Sequence, residues 1–158
     1  MPTFRALGIP DLRAGFAADP EICELDPEQA QELQPVMRAV RGAENARELE
    51  YALDCGCRVL VLAERGFAVV APPGSGWPRP GVWMLAAHQE ADAVRLLRAA
   101  IRNLGTGTEI SVAFITGAQQ WALPVLVQAR LSFCADGGFA SRGDVGPLHP
   151  YIPSGPFS

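Results

Sequence analysis

The sequence predicts a single α/β (α+β) domain with a mixed, mainly antiparallel sheet and flanking helices. Its length of 158 residues suits one domain, and its 49% hydrophobic and 19% charged residues are typical of a globular protein. Strand and helix patterns follow one another in the order β-α-α-β-β-β-α-β-α-β-β. Because three predicted strands are consecutive in the middle, this order favours a mixed sheet over a doubly wound parallel one.

The first part of the chain is weakly patterned. Residues 1–20 contain three prolines, and we expect them to form an N-terminal arm. A short helix or a docked segment there could bury four apolar side chains: Leu7, Ile9, Leu12 and Phe16. A short strand is expected at residues 22–25. Asp26-Pro27-Glu28 then predicts a helix start, because Asp caps a helix, Pro fits its first position and Glu favours its first turn.

The middle of the chain contains the strand around which we expect the sheet to be built. A second helix is predicted at residues 45–54, followed by a hairpin of two strands at residues 58–63 and 66–71. Residues 82–87 are apolar throughout, which is typical of a central strand covered on both faces. Apolar side chains then recur at helical spacing over residues 92–104, with arginines on the opposite side, so an amphipathic helix follows.

The last third of the chain completes the predicted sheet. Residues 109–115 form a predicted strand. A strand-helix-strand order requires a parallel crossover, so this strand should lie parallel to residues 82–87 in the same sheet. A helix beginning near Trp121 and two short strands, at residues 131–134 and 138–141, follow.

We expect three parts in the chain: an arm of residues 1–20, a domain of residues 21–145 and an extended Pro/Gly-rich tail of residues 146–158. The tail and the Pro-rich loop before residue 82 carry four apolar side chains with no local core to enter: Trp77, Tyr151, Ile152 and Phe157. We expect these side chains to dock on the protein's own surface or on a partner's.

Composition and charge argue against several classes of function. The formal net charge of −4 gives no electrostatic reason to expect a nucleic-acid partner. All 13 basic residues are arginines, so no lysine could act as a Schiff-base nucleophile. The four cysteines lack C-x-x-C spacing, which favours unpaired thiols in a reducing cytoplasm over a metal site or a disulfide. With no secretion signal and no apolar run of the ~20 residues that a membrane span needs, we expect a cytoplasmic protein.

The turn between the central strand and its helix is a candidate site. Unpaired N–H groups and the helix dipole make this position the usual phosphate-binding site of α/β proteins. Here the turn from His88 to Asp92 has no glycine and contains two acids, Glu90 and Asp92. Carboxylates stabilise a helix N-terminus but repel a second anion. The architecture therefore suits a nucleotide-type ligand, whereas the local charge opposes it.

The order of elements and several local sequences resemble the GCN5-related N-acetyltransferase (GNAT) superfamily. The resemblance spans about residues 20–143 and is carried by EICELDPEQAQEL, RVLVLAERGFAVVAPP, GVWMLAAHQEADAVRLLRAAI and EISVAFITGAQQWALPVLVQARLSFCADGGFASRG. Shorter segments, such as AVRGAE and RGDVGP, look like the C-terminal lobes of tandem GNAT-like proteins of high-GC bacteria. Such lobes often lack cofactor motifs. The resemblance implies a sheet splayed between the family's fourth and fifth strands, here residues 82–87 and 109–115.

The resemblance also implies an activity, which is acyl transfer from acyl-CoA to an amine. In that case acetyl-CoA would lie against five residues: Leu85, Ala86, Ala87, Val94 and Arg95. His88 or Glu90, near the expected position of the thioester, could act as the general base. The plainer interpretation, which we prefer, is that His88, Glu90 and Asp92 simply begin the helix.

Two functional signatures of the family are missing. The pyrophosphate loop, Q/R-x-x-G-x-G/A, has glycines that let backbone N–H groups approach the phosphates, and the turn from His88 to Asp92 has none. The tyrosine that usually serves as general acid is replaced by Gln128, whose amide cannot supply that proton. We therefore expect acetyl-CoA binding to be weak or absent. A 3′-phosphate could still meet three arginines, although such spacing usually marks a solvated helix face: Arg95, Arg98 and Arg102.

Three functions remain open at this point. The chain could be an active acyl-CoA-dependent N-acyltransferase with an atypical cofactor loop. It could instead be a catalytically silent GNAT-like module that serves binding or assembly, as a homodimer or by pairing with another GNAT lobe. The third alternative is a small-molecule-binding protein that uses the V-shaped opening between the two splayed strands. None of the three involves a nucleic acid or a membrane.

Overall fold

A computed structural model describes residues 1–13, 15–44, 46–138, 140 and 145–153. The strands in this part of the chain are β1 (Pro2–Gly8), β2 (Cys23–Glu24), β3 (Arg58–Leu62), β4 (Gly66–Ala71), β5 (Gly81–Ala87), β6 (Ile110–Ile115), β7 (Ser132–Gly138) and β8 (Tyr151–Ile152). Its α-helices are α1 (Gln34–Arg41), α2 (Ala46–Asp54), α3 (Glu90–Leu104) and α4 (Leu123–Gln128). Short 3-10 helices occupy Pro27–Leu33, Ala63–Arg65 and Gly117–Ala122.

The strands form one sheet in the order β2-β3-β4-β5-β6-β1-β7, with β8 paired to β5. All neighbours are antiparallel except β5 and β6, which run parallel. This arrangement confirms the predicted mixed, mainly antiparallel sheet and its parallel pair. The backbones of β5 and β6 approach each other closely at Gly81. An added Cβ there would lie 1.9 Å from the carbonyl oxygen of Ser111, so the β5–β6 pairing depends on a glycine at this position.

Helices cover both faces of the sheet and create two cores. One core lies under α3 and α4 and includes Leu85, Leu97 and Ile101, all fully buried. The other lies under α1 and α2 and includes Met84 and Phe67, also fully buried. The whole of β5 is buried, as its continuous apolar sequence predicts.

The N-terminal segment forms a strand rather than the helix considered from the sequence. β1 lies between β6 and β7 and pairs antiparallel with both. An irregularity in the β1–β6 register between Phe4 and Ala6 interrupts the alternation of buried and exposed residues that would have marked a strand. The division into arm, domain and tail stays a prediction, while both ends of the described chain contribute strands to one sheet.

Two other local predictions have different outcomes. Asp26 caps the first helical segment as expected, accepting a hydrogen bond from the N–H of Glu28 at 3.2 Å. A single long strand, β7, takes the place of the two short strands expected near the end of the domain. Residues 139 and 141, which belong to the second of those predicted strands, lie outside the described residues.

Candidate functional site

The opening between β5 and β6 is the candidate site. The two strands are paired only at their beginnings, where Gly81 faces Ser111 and Val82 faces Val112. Further along, β6 has a bulge against β1, and Phe114 adopts a left-handed φ of 56° within it. Pairing does not resume beyond this point, so the strands enclose the V-shaped opening that the sequence predicts.

A C-terminal segment of the chain fills the opening. We call residues 148–153 the strap. It places β8 antiparallel to β5, with Ile152 opposite Leu85 and Tyr151 opposite Ala86. The edge of β5 that β6 leaves unpaired is therefore occupied by the protein's own backbone.

The side chains of the strap complete both cores. Tyr151 is 2% exposed and packs in the core under α1 and α2, whereas Ile152 is fully buried in the core under α3 and α4. The N–H of Ala87 donates to the carbonyl of Pro150 at 3.3 Å. Both apolar side chains therefore dock on the protein itself, as expected; Phe157, the third tail residue expected to dock, lies outside the described residues.

Contacts with three elements hold the strap in place. The N–H of Leu148 donates to the carbonyl of Val40, near the end of α1, at 2.8 Å. The imidazole of His149 lies between two acceptors, with Nδ1 2.8 Å from the carbonyl oxygen of Ala118 and Nε2 2.9 Å from Oε1 of Glu90. The protonated imidazolium satisfies both acceptors, because it carries an N–H on each ring nitrogen.

Three of the five predicted cofactor-binding residues line the filled opening. Leu85, Ala86 and Ala87 are fully buried in β5, with β8 beside them. Val94 and Arg95 lie further along, in α3, where Val94 packs against the adjacent core. Their role in binding a cofactor stays a prediction.

The N-terminus of α3 carries two carboxylates. Its N-cap residue, Gln89, makes no side-chain capping hydrogen bond. Asp92 is 7% exposed, and its Oδ1 lies 3.2 Å from Nη1 of Arg65 and 3.7 Å from Nη1 of Arg95. Glu90 is exposed and pairs with the strap. Acidic groups that already have partners within the chain therefore stand where an α/β protein would hold a phosphate.

The two candidate general bases both face solvent. His88 is exposed at the end of β5, and its backbone N–H donates to the carbonyl of Arg65 at 2.9 Å. Its imidazole makes no hydrogen bond or ion pair with the part of the chain that the structure describes. The side chain of Glu90 is 57% exposed. Neither side chain is enclosed in a pocket that would orient it towards a substrate.

The arginines of α3 bind the N-terminal segment of the chain. Nε of Arg95 lies 2.7 Å from Oδ2 of Asp19, and this hydrogen-bonded pair lowers the pKa of the Asp19 carboxyl. Arg98 donates to the carbonyl of Gly15 at 2.8 Å, and Arg102 donates to the carbonyl of Phe16 at 2.9 Å. The three arginines of this face are therefore already hydrogen-bonded to the N-terminal segment, although Arg102 stays exposed and Arg95 and Arg98 are only partly buried.

Gln128, which we expect at the position of the family's tyrosine, belongs to the same contact. Its Oε1 accepts a hydrogen bond from Nη2 of Arg98 at 3.0 Å. A Cβ added to Gly15 would lie 2.2 Å from its Nε2, so the amide packs tightly against the N-terminal segment. The side chain that replaces the expected general acid thus has a structural partner.

The sequence alone does not point to the strap as the occupant of the opening. A strand of two residues carries no periodicity, and the pairing between His149 and Glu90 joins residues 59 positions apart. The signal that could have found it is chemical. Tyr151 and Ile152 are large apolar residues in a Pro/Gly-rich tail, and a splayed pair of apolar strands leaves a strand edge that they could cover.

In the described part of the chain, no helix is both long and apolar enough to cross a membrane. The same residues contain no group of three or more His, Cys, Asp and Glu side chains placed to hold a metal ion.

Two solved structures share this architecture. A candidate acetyltransferase from Pyrococcus horikoshii aligns with a TM-score of 0.62 over 88% of this chain and 46% of its own, at 18% identity. A GCN5-related N-acetyltransferase from Kribbella flavida aligns with a TM-score of 0.53 over 85% of this chain and 34% of its own, at 19% identity. The chain therefore spans less than half the length of either protein.

Comparison of sequences gives no match, since no protein-family model and no curated protein matches the chain. At 18–19% identity the likeness of the two solved structures concerns the fold alone. Together with the mixed sheet, the splayed parallel pair and the flanking helices, it gives one conclusion. The chain has the fold of the GCN5-related N-acetyltransferases.

Proposed function

We propose that this chain is a catalytically silent module with the GNAT fold, which serves binding or assembly and transfers no acyl group itself. One observation carries the proposal. The strap pairs with β5 at Leu85 and Ala86, in the opening where acetyl-CoA would lie in an acetyltransferase of this fold. The residues present therefore do not fit the cofactor while the strap is in place.

Displacing the strap would be costly. Complete burial of an apolar side chain stabilises a protein by roughly 1.5–3 kcal/mol, and the strap buries two large ones, Tyr151 and Ile152. A ligand that must first expel both would lose about 3–6 kcal/mol, or roughly 100- to 10,000-fold in affinity. An ordinary micromolar cofactor affinity would thus fall to roughly 0.1–10 mM from this loss alone.

The charges at the N-terminus of α3 support the same function. Glu90 and Asp92 stand where a pyrophosphate would need bare N–H groups. Arg95, the predicted cofactor contact in this helix, is already held by Asp19 and Glu21. A bound anion would have to compete with carboxylates that are covalently part of the protein.

The tyrosine that serves as general acid in the family also has no replacement that could transfer a proton in this chain. Gln128 stands in the position of the tyrosine, and its amide is bound to Arg98. His88 and Glu90 remain as titratable groups near the opening, but both are exposed. This set of residues is better suited to a structural module than to an acyltransferase.

The far end of the sheet offers a surface for assembly. β7 is the last strand, and its outer edge has no strand partner within the described residues. Unpaired edge groups can pair with another sheet. Phe4 on β1 and Phe133 on β7 are 46% and 40% exposed, and they add apolar surface to these two paired strands. We assign this edge to pairing with a second copy of the chain or with another GNAT lobe.

A reducing compartment suits the thiols of the chain. The four cysteines are free, and burial raises the pKa of Cys57 to about 11, which keeps that thiol protonated and unreactive. We therefore assign the protein to a reducing compartment, the cytoplasm.

Isothermal titration of acetyl-CoA into the full chain tests the proposal. We expect no heat of binding up to millimolar cofactor and no thiol release when a panel of amines is added. The variant Asp92→Asn removes one acidic charge from the N-terminus of α3 but leaves every attachment of the strap, so it should still show no heat of binding below millimolar cofactor. Micromolar binding, or acyl transfer to any amine in the panel, would contradict the proposal.

A second candidate function is acyl-CoA-dependent N-acyl transfer by a chain whose strap can leave. The observation that favours it is the exposure of the His149–Glu90 contact, whose side chains are 38% and 57% exposed, so that solvent reaches one attachment of the strap. His88 or Glu90 would then accept a proton from the amine. Thiol release that requires an amine and is lost in His88→Gln or Glu90→Gln would favour this candidate over the silent module.

A further inference from the structure

A separate pocket lies where β5 and β6 are still paired. It has a volume of about 350 Å³, and its lining includes Gly81 and Trp83 of β5 and Ser111 of β6. Trp83 belongs to the core under α1 and α2, so the pocket lies on that side of the sheet. None of the strap's residues lines it. The pocket is therefore distinct from the filled opening.

Aromatic side chains form one wall of this pocket. The rings of Trp77 and Trp83 are tilted by 51°, with centroids 4.5 Å apart. Trp83 is 6% exposed and thus fixed in the core, whereas Trp77 is half-buried and extends from the Pro-rich loop. Phe114, at the bulge of β6, also lines the pocket. Such surfaces favour a flat apolar group, which can stack on the indoles.

The charges around the pocket are unequal. Nη2 of Arg5 lies 2.7 Å from Oδ1 of Asp136, in a pair whose side chains are 27% and 11% exposed. Arg79, by contrast, is exposed and makes no hydrogen bond or ion pair with the described residues. Two guanidinium groups against one carboxylate leave one positive charge, carried by Arg79. A guanidinium binds a carboxylate through two parallel hydrogen bonds, so the unpaired charge favours an organic acid.

We propose that this pocket binds a small aromatic carboxylic acid, with its ring against Trp77 and Trp83 and its carboxylate on Arg79. The volume of about 350 Å³ falls within the usual range of small-molecule sites. The proposal concerns binding of the acid alone, with no chemical reaction in the pocket or in the filled opening. The pocket and the silence of the opening can thus be tested separately.

Three probes with one ring and different charge test the proposal: indole-3-acetate, indole-3-acetamide and tryptamine. Their binding to the full chain can be followed by calorimetry and by the indole N–H resonances of Trp77 and Trp83. We expect the acid to bind about tenfold more tightly than the amide, and the amine to bind most weakly. The resonance of Trp121, which does not line the pocket, should not move.

Matched arginine variants then locate the charge. Arg79→Gln should weaken binding of indole-3-acetate about fivefold to tenfold and leave the amide unchanged. Arg47→Gln is the control, because Arg47 is also exposed and unpaired within the described residues but does not line the pocket. Because the Arg79 side chain makes no hydrogen bond or ion pair with the described residues, Arg79→Gln should not affect folding. Equal affinity for the acid and the amine, an equal loss for the acid and the amide in Arg79→Gln, or no binding at several millimolar would overturn the proposal.

Discussion

Tyr151 is the residue whose ionisation most directly reports on the closed opening. Its side chain is 2% exposed, and burial raises its pKa from 10.0 to about 12, with smaller effects of Arg41, which lowers it, and Glu48, which raises it. The folded state therefore holds the phenol proton more tightly than the unfolded state does. Its contribution to stability is complete below pH 10 and is lost as the pH rises through 12.

We expect Tyr151→Phe to remove that alkaline loss. A shift of two pH units corresponds to roughly 2–3 kcal/mol, so the free energy of unfolding of the unmodified chain should fall by about that much more than the variant's between pH 9 and 12. Denaturant titrations across this range provide the measurement. Cys57 titrates in the same range in both proteins, so only their difference is informative. Parallel pH curves would mean that Tyr151 is not buried in the opening.

Gly81 tests the paired end of the same two strands. An added Cβ would lie 1.9 Å from the carbonyl oxygen of Ser111, and neither backbone can move without breaking the β5–β6 pairing. We expect Gly81→Ala to lower the free energy of unfolding by about 2–4 kcal/mol. Gly117→Ala is the control, because no atom lies within 4 Å of the Cβ position there, and it should change stability by less than ~0.5 kcal/mol. Equal effects of the two substitutions would show that the close approach is absent.

Among the elements, β5 and α3 are predictable because their patterns are local. The uninterrupted apolar run of β5 marks a strand covered on both sides, and the helical spacing of α3 marks one buried face. β1 and β8 are not predictable in this way. A register irregularity interrupts the alternation of buried and exposed residues in β1, and β8 has only two residues, too few for any periodicity. The partner of Arg95 is equally hidden, because Asp19 lies 76 positions away and only the fold brings the two together.

The strap is the element that a core substitution can release selectively. Ile152→Ala removes a fully buried side chain from the opening, whereas Ile110→Ala removes an equally buried one from the beginning of β6, away from the strap. Both should lower the free energy of unfolding by about 2–5 kcal/mol. Under native conditions only Ile152→Ala should speed protease cleavage within residues 145–153. Local opening of the strap costs less free energy in this variant, because it no longer exposes a large apolar side chain to water. Similar cleavage rates in both variants would show that the strap has no opening equilibrium of its own.

At the scale of the molecule, the sheet is closed in the middle by the strap and open at the β7 edge. We expect the chain to self-associate in the micromolar range, and Phe133→Lys to shift it towards the monomer, because a charge on an edge strand prevents pairing. Light scattering during size-exclusion chromatography measures both. Ile9→Lys is the control, since Ile9 is 60% exposed and lies outside β7. Loss of association in the control as well would exclude the β7 edge as the specific surface.

The mixed sheet and its parallel pair follow from element order, which the sequence carries. The splay of that pair is expected only from the resemblance to the GNAT superfamily. What fills the opening does not follow, because it depends on a contact between β5 and a two-residue strand far along the chain. The central claim, a GNAT fold whose opening is closed by its own chain, therefore rests on the pairing of β5 with β8.

Hydrogen exchange at the amide of Ala87 measures that pairing directly, because this N–H donates to the carbonyl of Pro150 in the strap at 3.3 Å. We expect strong protection, approaching that of core amides in α3, and no change when millimolar acetyl-CoA is added. Exchange of the Ala87 amide at the rate of an unstructured peptide, or a change in its protection that saturates with acetyl-CoA, would show that the opening is available to the cofactor and would contradict the proposed silence of this module.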